Sequence, residues 1–171
     1  FIRKKLGVIR KLEEQNKALR DKMAAQREKF ADMSHEFYLM GNECMVKLKD
    51  SKAALANFDK AIFLNPNNVD ALVRRGVTLY DDGDFMEAEK SLNAAVKLSP
   101  TLFKTVYNRG KNRLSLKNYE GALTDLSRAV ALKPEHKMAH ELLGDVYSKM
   151  GDLNMAMKHW NIARGDEEEE E

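Results

Sequence analysis

His136 and His140 are the residues best placed for catalytic or metal chemistry. They stand four apart, close to the spacing of two metal ligands on one helix face. Glu141 is adjacent, but no cysteine or third histidine joins them. His136 falls beside Pro134 at a helix start, and His140 falls on a packing position. No metal site is expected. No phosphate-cradling loop, no Gly-x-Ser-x-Gly elbow and no His-Glu-x-x-His pair occurs. Carboxylates are abundant, yet they fall mostly on exposed helix faces without a visible pocket pairing. The expectation is a chain that binds rather than catalyses, with no cofactor.

The elements that must present a binding surface are set by an internal repeat. Pro66, Pro100 and Pro134 are each 34 residues apart. The same step carries Ala54, Ala88, Ala122 and Ala156, and again Ala61, Ala95, Ala129 and Ala163. Phe58, Leu92, Leu126 and Trp160 form a series of bulky residues, and Gly76, Gly110 and Gly144 a series of glycines. Each series has a mechanical meaning. A mid-helix glycine loses about 1 kcal/mol of helix propensity relative to alanine, so close approach of a neighbour must compensate. Two alanines seven apart, with a bulky residue between them, share one face of a second helix. The prolines cannot continue that helix and so restart the chain. Asp82-Gly83-Asp84 and Gly151-Asp152 mark turns between paired helices.

These residues resemble the tetratricopeptide repeat family, over about residues 35–170. The fold implied is all-α: a right-handed α-solenoid of about four helix-turn-helix units, 35–68, 69–102, 103–136 and 137–170. It is preceded by a coiled-coil-like helix over residues 1–33, and the array as a whole runs over 34–165. Leu143-Gly144, Tyr147, Ala156, Trp160 and Ala163 follow the family pattern in the fourth unit, whereas Arg113 replaces its tyrosine in the third. In the first unit Gly41 lies one residue early, which reads as one extra residue in the turn around Lys49-Asp50-Ser51.

The resemblance implies a concave groove lined by the first helix of each unit, suited to an extended peptide or a partner helix. The family's groove positions fall here on Tyr38, Asn42 and Met45, then on Asp70, Val73, Arg74, Val77 and Tyr80. They continue with Lys104, Tyr107, Asn108 and Lys111, and end with Glu141, Leu142 and Asp145. The candidate binding residues are therefore Tyr38, Asn42, Arg74, Val77, Tyr80, Lys104, Tyr107, Asn108 and Lys111. The amides can hold a peptide backbone, the cations favour an acidic partner, and the tyrosines offer rigid amphipathic contacts. A clamp for chaperone tails, known in one branch of the family, would need Lys, Asn, Asn, Lys and Arg. The corresponding residues are Tyr38, Asn42, Arg74, Lys104 and Asn108, and only two match, so a degenerate co-chaperone is an alternative and not the first reading.

The two ends are unlike the middle. Residues 1–33 carry ten Lys or Arg against five Asp or Glu and only one glycine, Gly7. A heptad frame places Ile2, Ile9, Asn16, Met23 and Phe30 at one core position and Lys5, Leu12, Leu19, Gln26 and Met33 at the other. Such a helix either caps the first unit or pairs with a different, acidic helix; Lys22, Arg27 and Lys29 on its flanks oppose a parallel homodimer. Basic charge there makes nucleic acid the second binding class, although aromatics are not interleaved with it. Phe1 and Ile2 ahead of Arg3, Lys4 and Lys5 would suit the flank of a membrane anchor. Asp166 through Glu171 form an acidic tail, read as solvated. One cysteine, Cys44, cannot make an internal disulfide, so a reducing compartment is expected, cytoplasm or organelle interior. The function expected is a scaffold, adaptor, regulator or complex-assembly factor, and the basic flank extends that expectation to a membrane-tethered one in an organelle such as the chloroplast.

Overall fold

A computed structural model describes residues 2–165. The acidic tail lies outside the described residues. Eight α-helices run in order: α1 (Ile2–Glu43), α2 (Ser51–Leu64), α3 (Val69–Asp81), α4 (Phe85–Leu98), α5 (Phe103–Ser115), α6 (Tyr119–Leu132), α7 (Lys137–Met150) and α8 (Leu153–Arg164). There is no strand among the described residues. Each helix packs on the next, and α3 also touches α1 and α5, as α5 touches α7. The result is a solenoid whose odd-numbered helices share one wall. Among the described residues no helix is long and apolar enough to cross a membrane.

The helices start and stop where the sequence chemistry demands. Asp50, Asn68, Asp84, Asn118 and Asp152 each stand before a helix, and each accepts a hydrogen bond from the backbone N–H three residues on. His136 does the same for α7 through Nδ1. Pro66, Pro100 and Pro134 each follow the residue that ends α2, α4 or α6. Gly83 and Gly151 take φ of 85° and 88°, the left-handed turn that joins paired helices.

Inside each unit a glycine of the first helix faces a bulky residue of the second. A Cβ on Gly76 would stand 2.7 Å from Leu92 Cγ, and one on Gly110 2.8 Å from Leu126 Cγ. On Gly144 it would meet Trp160 Cδ1 at 2.5 Å, and on Gly41 it would meet Phe58 Cε1 at 2.5 Å. Ala54, Ala61, Ala88, Ala95, Ala122, Ala129 and Ala156 are fully buried around these contacts.

Two features differ from expectation. The extra residue of the first unit is not in the turn at Lys49-Asp50-Ser51. A π-helical turn, Cys44–Leu48, absorbs it at the end of α1, and Lys49 follows with φ of 51°. Gly41 thereby occupies the place that Gly76 holds in the next unit. The other feature is α1 itself. Nothing breaks the helix between Ile2 and Glu43, so it cannot fold back as a cap, and residues 6–32 are exposed throughout.

The last unit carries a titratable contact. His140 is buried, its Nε2 donating to Pro134 O at 2.9 Å and its Nδ1 2.9 Å from His159 Nδ1. With Nε2 holding the proton, His140 Nδ1 accepts from His159. His159 also stacks on Tyr147, centroids 5.6 Å apart. Burial, then His140, then Lys158 hold the His159 pKa below the usual histidine value of 6.5. The unfolded chain therefore binds a proton more readily than the folded one. The stabilisation is complete above about pH 6.5 and is lost as pH falls from there to the depressed folded value. Melting temperature should drop over that window in wild type, and His159→Gln should flatten the dependence.

Candidate partner-binding groove

The groove wall is built from α1 beyond residue 34, α3, α5 and α7. Tyr38, Asp70, Val73, Arg74, Val77, Lys104 and Asn108 line a concavity of about 360 Å³ that spans α1, α3 and α5. Five of the nine candidates therefore meet at one place: Tyr38, Arg74, Val77, Lys104 and Asn108. Their assembly follows from the repeat: residues one unit apart in the chain are neighbours across the wall.

Several of these groups already have partners. Lys104 forms an ion pair with Asp70, both side chains about half exposed. Asn108 donates Nδ2 to Lys104 O at 2.7 Å, leaving its Oδ1 for a guest. Arg74 is exposed and enters no ion pair among the described residues. It is the groove's uncommitted charge, bordered by the apolar faces of Val73 and Val77.

The other four candidates lie apart from this lining. Lys111 Nζ sits 4.3 Å from the centre of the Tyr80 ring. Tyr80 also accepts a hydrogen bond from Ser115 Oγ at 3.2 Å. Tyr107 stacks on Phe103 at 5.2 Å and against His136 at 5.2 Å. Burial, then Glu141 and Tyr80, raise its phenol pKa. Tyr107, Tyr80 and Val77 thus serve packing as well as the surface. Asn42 is half-buried on α1, one residue after Gly41. His136 and His140 do not converge: one caps α7 and the other faces His159. No three metal-ligating side chains gather among the described residues.

Charge changes sign along the wall. Arg74, Lys104 and Lys111 occupy its middle, while Glu141 and Asp145 belong to α7. Asp145 accepts from Trp160 Nε1 at 3.1 Å, and with Glu141, Trp160, Ala163 and Arg164 it lines a second concavity.

The face of α5 turned away from the groove holds a network that sequence reasoning missed. Arg109 makes a bidentate pair with buried Asp125 of α6, at 2.8 and 2.7 Å. Arg113 reaches the same carboxylate at 3.0 Å and Glu89 of α4 at 2.9 Å. Asn112 donates to Glu89 Oε2 and to Phe85 O. This explains why Arg113 stands in place of the family's tyrosine: it joins α5 to both neighbours. The signal was available as a repeated spacing. Arg75 bonds Asp59 and Ser91, sixteen residues to either side, and Arg109 bonds Asn93 and Asp125 at the same separation.

With this geometry in hand, comparison with known proteins identifies the class. The tetratricopeptide repeat family matches residues 46–102 and 107–153, and the chain belongs to that family. Anaphase-promoting complex subunit 3 of Schizosaccharomyces pombe is 29% identical over 121 residues, 70% of this chain and 18% of that protein. The DnaJ homolog subfamily C member 7 homolog of the same yeast is 31% identical over 115 residues, 60% of this chain and 24% of that protein. The chain thus spans about a fifth of the length of these relatives. Among solved structures, MamA superposes with a TM-score of 0.73 at 27% identity, covering 79% of this chain and 73% of its own. The first such domain of Spaghetti (RPAP3), bound to the HSP90 peptide SRMEEVD, superposes with a TM-score of 0.68 at 23% identity, covering 71% and 95%. That likeness concerns the fold.

Asp125 tests how the groove helix is held. Asp125→Ala leaves Arg109 without its carboxylate and Arg113 with Glu89 alone, and should cost about 3–5 kcal/mol. Thermal or urea unfolding of the variant reads that loss directly.

Proposed function

We propose that this chain is a non-catalytic scaffold that captures an acidic, extended segment of another protein in the groove centred on Arg74. The observation that carries this reading is the concavity shared by α1, α3 and α5. Arg74 is exposed there without an ion pair among the described residues, and apolar Val73, Val77 and Tyr38 surround it. A carboxylate of the guest meets Arg74 first, because no anion among the described residues is paired with it. Lys104 follows by exchanging Asp70 for the guest, at modest cost since a surface ion pair contributes only about 0–1 kcal/mol. Asn108 Oδ1 accepts a backbone N–H of the guest, and the valines bury an apolar side chain. The acidic residues of α7 set polarity, so a guest whose charge fades or turns basic toward α7 fits best.

Several relatives point the same way at a coarser level. One is a subunit of a large complex and another is a DnaJ homolog; a solenoid of this fold has been solved with a peptide bound. An adaptor or complex-assembly role agrees with these names. The mismatch of Tyr38 and Arg74 to the chaperone clamp makes a different carboxylate-bearing ligand the better reading.

The test is an unbiased pull-down on wild type and on Arg74→Glu with Lys104→Glu, followed by titration of recovered acidic peptides. Both side chains are outside the core, so melting temperature should hold. Affinity should fall tenfold or more, about 1.4 kcal/mol, and wild-type binding should weaken with salt. A double variant that keeps every partner would refute the groove assignment.

A further inference from the structure

The exposed stripe on α1 is a surface distinct from the groove. Ile9 is 50% exposed, Leu12 53%, Leu19 57% and Met23 49%, and Phe30 and half-buried Met33 continue the line. Residues 6–32 extend for about 40 Å at the usual helical rise and are exposed throughout. A lone helix with such a seam is marginal in water, and an apolar stripe of this length marks a contact surface.

We infer that the occupant is a second copy of this chain, packed antiparallel on α1 with the two-fold axis at Asp21. The seam is mirror-symmetric about that residue. In antiparallel packing the two heptad core positions face each other. Centred on Asp21, Ile9 meets Met33 of the second copy, Leu12 meets Phe30, and Leu19 meets Met23. Within residues 9–33 the two polar residues of the seam, Asn16 and Gln26, meet each other and can exchange amide hydrogen bonds. A shift by one heptad spoils this, placing Ile9 on Gln26 and Leu19 on Asn16. Two-fold symmetry repeats each layer, as a closed dimer interface requires.

Charge selects the orientation. Antiparallel packing places Glu13 on the same flank as Arg27, an opposite-charge pair that the two-fold axis makes twice. Like charges meet only at the axis, where Arg20 and Lys22 each face their own copy. Parallel packing also matches like layers, but it sets Lys22 beside Arg27 twice, stacks the basic ends on each other and offers no opposite-charge flank. Bulk agrees: antiparallel packing puts the two arrays at opposite ends of the shared helix, where they cannot collide. The dimer then presents two grooves and can grip a repeated or oligomeric guest with avidity.

The experiment uses the full chain and does not depend on any groove ligand. Light scattering on a sizing column across the micromolar range should give twice the chain mass for wild type. Leu19→Glu should give the monomer mass with the melting transition of the array unchanged. For orientation, Cys44→Ser chains carrying Leu12→Cys or Phe30→Cys are mixed and oxidised. The mixed disulfide between the two variants should dominate. A monomeric wild type, a higher oligomer, a dimer that survives Leu19→Glu, or Leu12→Cys linking chiefly to itself would each overturn the inference.

Discussion

Everything in this molecule rests on one steric fit: a glycine on the first helix of each unit lies against a large side chain on the second. The spacing leaves no room for even one carbon at Gly41, Gly76, Gly110 or Gly144. Close approach there buries Phe58, Leu92 and Leu126 almost completely and surrounds them with alanines. Because the fit recurs every 34 residues, each helix pair leans on the next in the same way, and the odd helices are left along one wall. The groove exists because most of the core is elsewhere, within each helix pair and between neighbouring pairs.

That arrangement frees the groove residues from structural duty to different degrees. Arg74 has none, Lys104 is half committed to Asp70, and Tyr80 and Tyr107 are partly core. Recognition therefore concentrates on few side chains, as interfaces generally do. The Arg109–Asp125–Arg113 network supports them from behind. A buried ionic cluster is a poor source of net stability, yet breaking it is costly. Its effect is to hold α5 at a fixed height between α4 and α6, so that Lys104 and Asn108 keep their place opposite Arg74.

Much of this could be read from residue types alone. The repeated prolines, alanines and glycines placed the helix pairs and the steric fit, and the family's offsets led to the five side chains that meet at the concavity. What was not legible has physical causes. One inserted residue can be taken up by a loop or by a π-turn, and the stretch Cys44–Leu48 carries no proline or glycine to distinguish them. Whether the first helix would cap the array depended on a break that the chain lacks, since Gly7 alone is too weak a stop. The pairing of Lys104 with Asp70 joins residues one full repeat apart, and the network of Arg109 joins residues half a repeat apart. These spacings recur along the sequence, but which residues pair across them is fixed only when the helices are stacked.

The steric fit itself can be tested by a cycle of Gly76→Ala and Leu92→Ala in thermal unfolding. The three atoms nearest a Cβ at Gly76 all belong to Leu92, so that side chain is the first obstacle it meets. Alanine should raise helix stability by about 1 kcal/mol wherever a glycine is merely unfavourable. The account predicts a reversal of sign: Gly76→Ala lowers the melting temperature in wild type and raises it in the Leu92→Ala background. An equal rise in both backgrounds would show that the glycine is not held by close approach, and the account of the fold would fail.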